Sequence, residues 1–77
     1  MKVKLKGIKK IKIAGEHIRL DALLKYASAV STGGEAKYMI QSGEVCVNNA
    51  QCTQRSKKIR PGDIVNFGEM VLLLASK

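Results

Sequence analysis

The spacing of apolar residues changes twice along this chain, and that change constrains the fold more than any other feature. In residues 2–6 and 10–13, apolar residues alternate with lysines, a period of two that is typical of strands. Gly7 interrupts this alternation and Gly15 ends it. A helical period begins at Leu20, and short apolar runs separated by turn residues follow Gly43. We therefore expect an α+β fold in which two short helices pack on a small, mostly antiparallel β-sheet.

Two helices are predicted in the centre of the chain. Four apolar residues at helical spacing indicate a first helix of about ten residues: Leu20, Leu23, Leu24 and Ala27. Thr32 and Glu35 fit a capping box, in which the Thr hydroxyl accepts from the third helical N–H and Glu35 reaches back to the cap residue. Ala36, Met39 and Ile40 form the apolar stripe of this second helix, and Gly43 suits its left-handed end.

Turn residues divide the rest of the chain into short strands. Asn48 and Asn49 tolerate positive φ and predict a tight turn, followed by a polar return strand over residues 51–55. Pro61 and Gly62 occupy the central positions of a turn over residues 60–63. Residues 64–67 and 70–75 then predict a closing hairpin around residues 68–69.

Length and charge limit the classes of function. Seventy-seven residues form one domain, residues 1–77. Fourteen Lys and Arg against six Asp and Glu give a net charge of +8, which attracts polyanions. Solvated surface charge is the simpler alternative. The apolar run at residues 71–75 is too short to cross a membrane, and no secretory leader opens the chain, so we expect a cytoplasmic protein.

Catalytic and metal chemistry find little support in the sequence. Cys46 and Cys52 are not spaced as a zinc knuckle, and the one histidine, His17, cannot complete a four-ligand site. A disulfide between the two cysteines is conceivable if one hairpin carries both, but the cytosol favours reduced thiols. No acid–base pair or activated nucleophile stands out. We expect no enzyme activity, metal, cofactor or small-molecule substrate.

Four segments resemble one known family in order and spacing. They are residues 19–24 (RLDALL), 35–40 (EAKYMI), 43–48 (GEVCVN) and 61–65 (PGDIV). Together they resemble the αL RNA-binding motif of ribosomal protein S-four and its relatives over about residues 18–67. The run TGGEAK at residues 32–37 is more similar to short, stand-alone bacterial members, some of which are associated with ribosome assembly.

The resemblance implies a site for structured RNA at the start of the second helix and on the following hairpin. By position it assigns Arg19, Thr32, Lys37 and Asn48 to that site. Two positions depart from the family pattern. Gly33 stands where many members have an arginine, which removes one expected phosphate contact. Asn49 stands where glycine usually follows the asparagine.

The same region is a candidate site on physical grounds. A helix N-terminus presents unsatisfied N–H groups and partial positive charge, and Gly33 and Gly34 would let a phosphate approach closely, with Lys37 one turn on. The alternative is that Thr32 and Glu35 only cap the helix. A second cationic cluster falls in an expected loop: Arg55, Lys57, Lys58 and Arg60. Tyr38 either stacks on an unpaired base or is partly buried in the helix.

The expected function is non-catalytic binding of structured RNA, with ribosomal RNA as the expected class and a monomer as the expected state. Only three residues are aromatic, which disfavours a reader that stacks successive bases of a single strand. The alternative is a protein-interaction adaptor whose basic face docks an acidic partner. Loss of affinity with salt for folded RNA, compared with duplex DNA and acidic protein, separates the two.

Overall fold

Seven strands and two helices are present in residues 7–68 and 70–77, which the computed structural model describes. The strand predicted for residues 2–6 lies outside the described residues. The elements are β1 (Gly7–Ile13), β2 (Ile18–Arg19), α1 (Leu20–Tyr26), α2 (Gly33–Gln41), β3 (Val45–Val47), β4 (Ala50–Gln51), β5 (Lys58–Ile59), β6 (Ile64–Phe67) and β7 (Met70–Ser76).

Two helices pack on a mixed, mostly antiparallel sheet of five strands, which confirms the predicted fold class. The strand order is β1-β7-β6-β3-β4, and all neighbours are antiparallel except β1 and β7. The parallel pair joins strands far apart in the sequence. β2 and β5 form a separate two-stranded ladder beside the start of α1.

The core lies between the helices and one face of the sheet. Alternation in β1 buries Ile11 and Ile13 and leaves Lys10 and Lys12 exposed, as a period of two requires. The helices contribute Leu20, Leu23, Leu24, Ala36 and Ile40, all fully buried. None of the buried residues that the structure describes is polar or charged. The fold therefore rests on aliphatic packing, as the composition indicates.

Both helices end where a residue adopts left-handed backbone. Gly43 has φ 87°, and the bonds from Gly43 N to Ile40 O (3.1 Å) and from Glu44 N to Met39 O (3.3 Å) form the predicted end of α2. The first helix has seven residues rather than the ten predicted, because Ser28 (φ 62°) closes it in the same way without a glycine.

The turns predicted at residues 48–49 and 60–63 are confirmed, but one predicted strand is wrong. Asn48 and Asn49 have φ of 51° and 70° and join β3 to β4. The expected return strand over residues 51–55 ends at Gln51, because the chain then turns away to reach the start of α1. Gly7 is the first described residue and belongs to β1; the predicted interruption at Gly7 depends on residues 2–6, which lie outside the described residues.

Both cysteines are free thiols on opposite faces of the sheet. Cys46 lies between Val45 and Val47, whose side chains are buried, so its side chain points to the other face. Cys52 packs against the core, and its backbone N–H donates to Val45 O (2.9 Å). Sharing a hairpin therefore does not bring the two sulfur atoms face to face.

Candidate nucleic-acid interface

The start of α2 is capped as predicted, with one difference. Thr32 Oγ1 accepts from Glu35 N (3.1 Å), whereas Glu35 Oε1 accepts from Ser31 N (2.7 Å) rather than from the N–H of the cap residue. The carboxylate reaches one residue beyond Thr32, whose own backbone is extended (φ −134°, ψ 162°). The Glu35 side chain is therefore already committed to stabilising the helix start.

Gly33 and Gly34 leave the first turn of α2 open. A Cβ added at Gly33 would meet no atom within 4 Å, and one at Gly34 would meet only Thr32 Oγ1 at 3.9 Å. Neither glycine has positive φ, so neither backbone conformation nor close packing requires glycine here. Their amides have no acceptor among the described residues. Two N–H groups are thus available to an anion.

Lys37 is exposed and lies four residues after Gly33, so the two residues are on the same side of α2. Lys37 forms no ion pair with a described residue. Its ammonium group and the amides at the helix start can therefore act on the same anion. Tyr38 is 72% exposed, so the partly buried alternative for this residue is wrong.

Residues 55–60, which we call the cationic loop, cap the start of α1 with two backbone carbonyls. Arg19 occupies the cap position but makes no side-chain cap bond. Instead, Leu20 N donates to Lys57 O (2.9 Å) and Asp21 N donates to Arg55 O (3.1 Å). These bonds hold the loop against α1, and they place the backbone of Arg55 and Lys57 beside Arg19.

Arg19 and Lys58 lie directly opposite each other in the β2–β5 ladder. The cluster was predicted as a loop, but Lys58 belongs to this short strand. Like charges at opposite positions destabilise a strand pair. Asp21 partly compensates the charge of Arg19, because its Oδ2 lies 3.1 Å from the Arg19 guanidinium. Arg19 and Lys58 are both exposed to solvent. An anion bound at this pair would relieve the repulsion.

Two concavities flank the Arg19–Lys58 pair. One, of about 360 Å³, lies between the β3–β4 hairpin and the cationic loop, and its charged lining residues are Lys57, Lys58, Arg60 and Asp63. The other, of about 270 Å³, is lined by Arg19, Asp21, Ala22, Lys25 and Gly33. Arg19 lines one concavity and its strand partner Lys58 lines the other, so the two concavities are neighbours at the β2–β5 ladder.

We define the basic surface as the cationic and glycine residues of these two concavities together with Gly34, Lys37 and Arg55, which lie on the same helix or loop: Arg19, Lys25, Gly33, Gly34, Lys37, Arg55, Lys57, Lys58 and Arg60. The candidate site residues Thr32 and Asn48 border it. Lys25 and Arg60 are the residues that the predicted site omitted. Arg60 belongs to the cationic cluster recognised in the sequence, whereas Lys25 gave only the signal of a polar helix face.

Asn48 ties the β3–β4 hairpin to the start of β6. Its Nδ2 donates to Asp63 Oδ1 (3.1 Å), its Oδ1 accepts from Ile64 N (2.9 Å), and its backbone N–H donates to Ile64 O (2.7 Å). Both ends of the amide are therefore engaged within the protein. A direct RNA contact by Asn48 stays a prediction from the resemblance. Asn49 forms the turn although glycine is usual in the family.

Comparisons with known proteins bear on these features together. A model of the S4 domain matches residues 11–74, which include β2, both helices and the whole cationic loop. The chain belongs to the S4 domain family. This is the family of RNA-binding domains that its sequence resembles.

Curated relatives of this S4 domain carry ribosomal names. The chain is 38% identical over 57 residues to the probable ribosome maturation protein RlbA of Bacillus subtilis, covering 74% of this chain and 80% of that protein. It is 33% identical over 51 residues to the small ribosomal subunit protein uS4 of Novosphingobium aromaticivorans, and 39% over 51 residues to that of Hyphomonas neptunium. It spans only 25% of either uS4 protein.

A solved structure matches the fold of this S4 domain. The trimeric structure of Heat Shock Protein 15 of Vibrio cholerae superposes with a TM-score of 0.63 and 28% sequence identity. The match covers 70% of this chain and 54% of that chain.

Neither helix within residues 7–68 and 70–77 has the length and apolar character needed to cross a bilayer. The same residues contain no group of three or more His, Cys, Asp or Glu arranged to hold a metal ion.

Proposed function

We propose that this S4 domain binds structured RNA of a ribosomal particle in the cytoplasm, without catalysing a reaction. The observation that carries the proposal is that Arg19, which lines the same concavity as Gly33, lies directly opposite Lys58 of the cationic loop. The Arg19–Lys58 pair joins the open start of α2 to the cationic loop, so that phosphates of a folded RNA can contact both. The ribosomal names of RlbA and uS4 support the same class of RNA.

Each part of the basic surface has a separate role in this proposal. The Gly33 and Gly34 amides bind one phosphate together with Lys37. Phosphates farther along the RNA strand are bound by Arg55, Lys57 and Lys58. Arg19, which is paired with Lys58, lies between these loop cations and the start of α2. Such contacts read the spacing of phosphates in a folded RNA rather than its bases. The net charge of +8 opposes self-association, so we propose that a monomer binds.

The test measures affinity against salt for a folded fragment of small-subunit ribosomal RNA. Replacing Arg55, Lys57 and Lys58 together by Gln should lower the affinity and reduce the salt slope by roughly two to three units, close to one per lost phosphate contact. Replacing Lys2, Lys4 and Lys6 by Gln removes the same charge without changing any residue of the basic surface and is the matched control. Lys37→Gln is compared with Lys10→Gln in the same way.

Three results would contradict this proposal. The first is a salt response as weak as that of an uncharged protein. The second is an equal loss of affinity in the loop variant and its charge-matched control, which would show that only net charge matters. The third is equally tight binding to polyglutamate, which would favour the protein-interaction adaptor. Light scattering of the free and RNA-bound protein tests the monomer.

A further inference from the structure

A third concavity lies at the end of α1 and shares no residue with the basic surface. It has a volume of about 300 Å³ and lies between α1 and the connection from β1 to β2. Tyr26, Ile13 and Ile18 line it together with Lys12, His17 and Lys77. No carboxylate side chain of the described residues is among its lining. The chemistry of this concavity is thus aromatic, aliphatic and cationic.

Tyr26 is placed where it contributes little to the core. Its side chain is 61% exposed, whereas Phe67 is buried. The packing face of α1 is already formed by Leu20, Leu23 and Leu24, all fully buried. A large aromatic ring at the solvent side of a seven-residue helix is therefore available to a ligand.

The walls of the concavity suit a flat, apolar ring with a charged substituent. Ile13 is buried and Ile18 packs against the core, so the aliphatic side is firmly held. The Tyr26 ring supplies a stacking surface. Lys12 and Lys77 supply cations for a phosphate. A nucleobase carrying its phosphate combines these properties.

We propose that this concavity binds one unpaired nucleotide, stacked on Tyr26, in an RNA whose folded part occupies the basic surface. The inference rests on the proposed function for the identity of the polymer. α1 borders both places: Lys25 lines one concavity and the next residue, Tyr26, lines the other. A helix with its side chains is about 10 Å across, so a short unpaired strand leaving the folded RNA can pass around it.

One test compares a short RNA hairpin with a blunt end and the same hairpin carrying unpaired adenosines at its 3′ or 5′ end. The extended hairpin should bind the protein about tenfold more tightly, because one of its unpaired bases stacks on the Tyr26 ring and the blunt hairpin has no such base. Tyr26→Leu should remove this gain and leave affinity for the blunt hairpin unchanged, while Tyr26→Phe should retain the gain. Circular dichroism establishes that each variant folds.

Tyrosine fluorescence tests the contact itself. The chain has two tyrosines and no tryptophan, so Tyr38→Phe leaves Tyr26 as the only tyrosine. Stacking of a base should quench its emission when short oligoadenylate is added, and Tyr26→Phe, which retains Tyr38, is the matched control. Adenosine monophosphate in a parallel titration distinguishes a free nucleotide from a strand: quenching by oligoadenylate at much lower concentration supports the strand.

The outcomes separate this inference from the proposed function. Equal affinity for blunt and extended hairpins, both bound through the basic surface, would overturn the nucleotide site and leave the proposed function intact. If the blunt hairpin does not bind but the extended hairpin does and oligoadenylate quenches Tyr26, the proposed function fails and the nucleotide site stands. Quenching of Tyr38 but not Tyr26, or equal quenching by adenosine monophosphate, would also overturn the inference.

Discussion

Asn48 offers a sharp test, because the structure gives its side chain a role within the protein. Asn48→Gly retains the positive φ of this position and removes the two side-chain hydrogen bonds, to Asp63 Oδ1 and from Ile64 N. A hydrogen bond contributes about 0.5–1.5 kcal/mol, and both bonds are solvent-exposed, so the lower half of that range applies to each. We expect the free energy of unfolding to fall by about 1–2 kcal/mol.

Two further substitutions at the hairpin turn define the source of that loss. Asn48→Ala also imposes left-handed backbone on an alanine, which costs about 1–2 kcal/mol more. Asn49→Gly is the matched control, because Asn49 occupies the same turn (φ 70°) and makes no side-chain hydrogen bond with a described residue. It should leave stability unchanged or raise it slightly.

Urea unfolding followed by circular dichroism measures these differences, and thermal unfolding gives an independent value. A loss of about 1 kcal/mol lowers Tm by roughly 4–8 °C in a domain of this size. If Asn48→Gly is no less stable than Asn49→Gly, the two side-chain hydrogen bonds of Asn48 do not stabilise the hairpin and the reasoning fails. RNA affinity well below Tm then tests the contact that the resemblance implies. An anchoring role alone predicts a change within about twofold.

Three other substitutions or modifications test particular contacts. Ser28→Gly should stabilise the protein by about 1 kcal/mol in urea unfolding, because Ser28 ends α1 at φ 62°, and destabilisation would contradict this account. Thr32→Ala should cost about 1 kcal/mol through loss of the cap to Glu35 N, whereas Thr32→Ser should retain most of it. Cys46 and Cys52 should both alkylate after denaturation and form no intramolecular disulfide under mild oxidation of the folded protein; mass spectrometry detecting that disulfide would contradict the opposite-face placement.

Local features of the fold were predictable because neighbouring residues determine them. The capping box at Thr32, the left-handed Gly43 and the Asn48–Asn49 turn each depend on a few adjacent residues. The short ladder of β2 and β5 was not predictable, because two residues per strand carry no periodicity. The parallel pairing of β1 with β7 depends on packing between distant segments, which no local pattern encodes.

The candidate site was likewise predictable only where its residues are neighbours in the sequence. Thr32, Gly33, Gly34 and Lys37 follow one another at the start of one helix, so the sequence alone could propose them as a group. The sequence did not show that Arg19 lies beside Lys58, because that proximity comes from the unpredicted ladder. The sequence did not show the two side-chain hydrogen bonds of Asn48 either, since the residues that bond to Asn48 lie 15 and 16 positions away.

The cap at the start of α1 has a consequence for how this surface can evolve. Lys57 O and Arg55 O make the cap through the main chain, so the bonds persist whichever side chains those positions carry. Cations in the loop can therefore be gained, lost or exchanged without removing the support of the helix. Under the proposed function, selection can therefore change which phosphates the loop binds while the scaffold stays constant, and drift in loop composition among descendants would alter target preference before it altered folding.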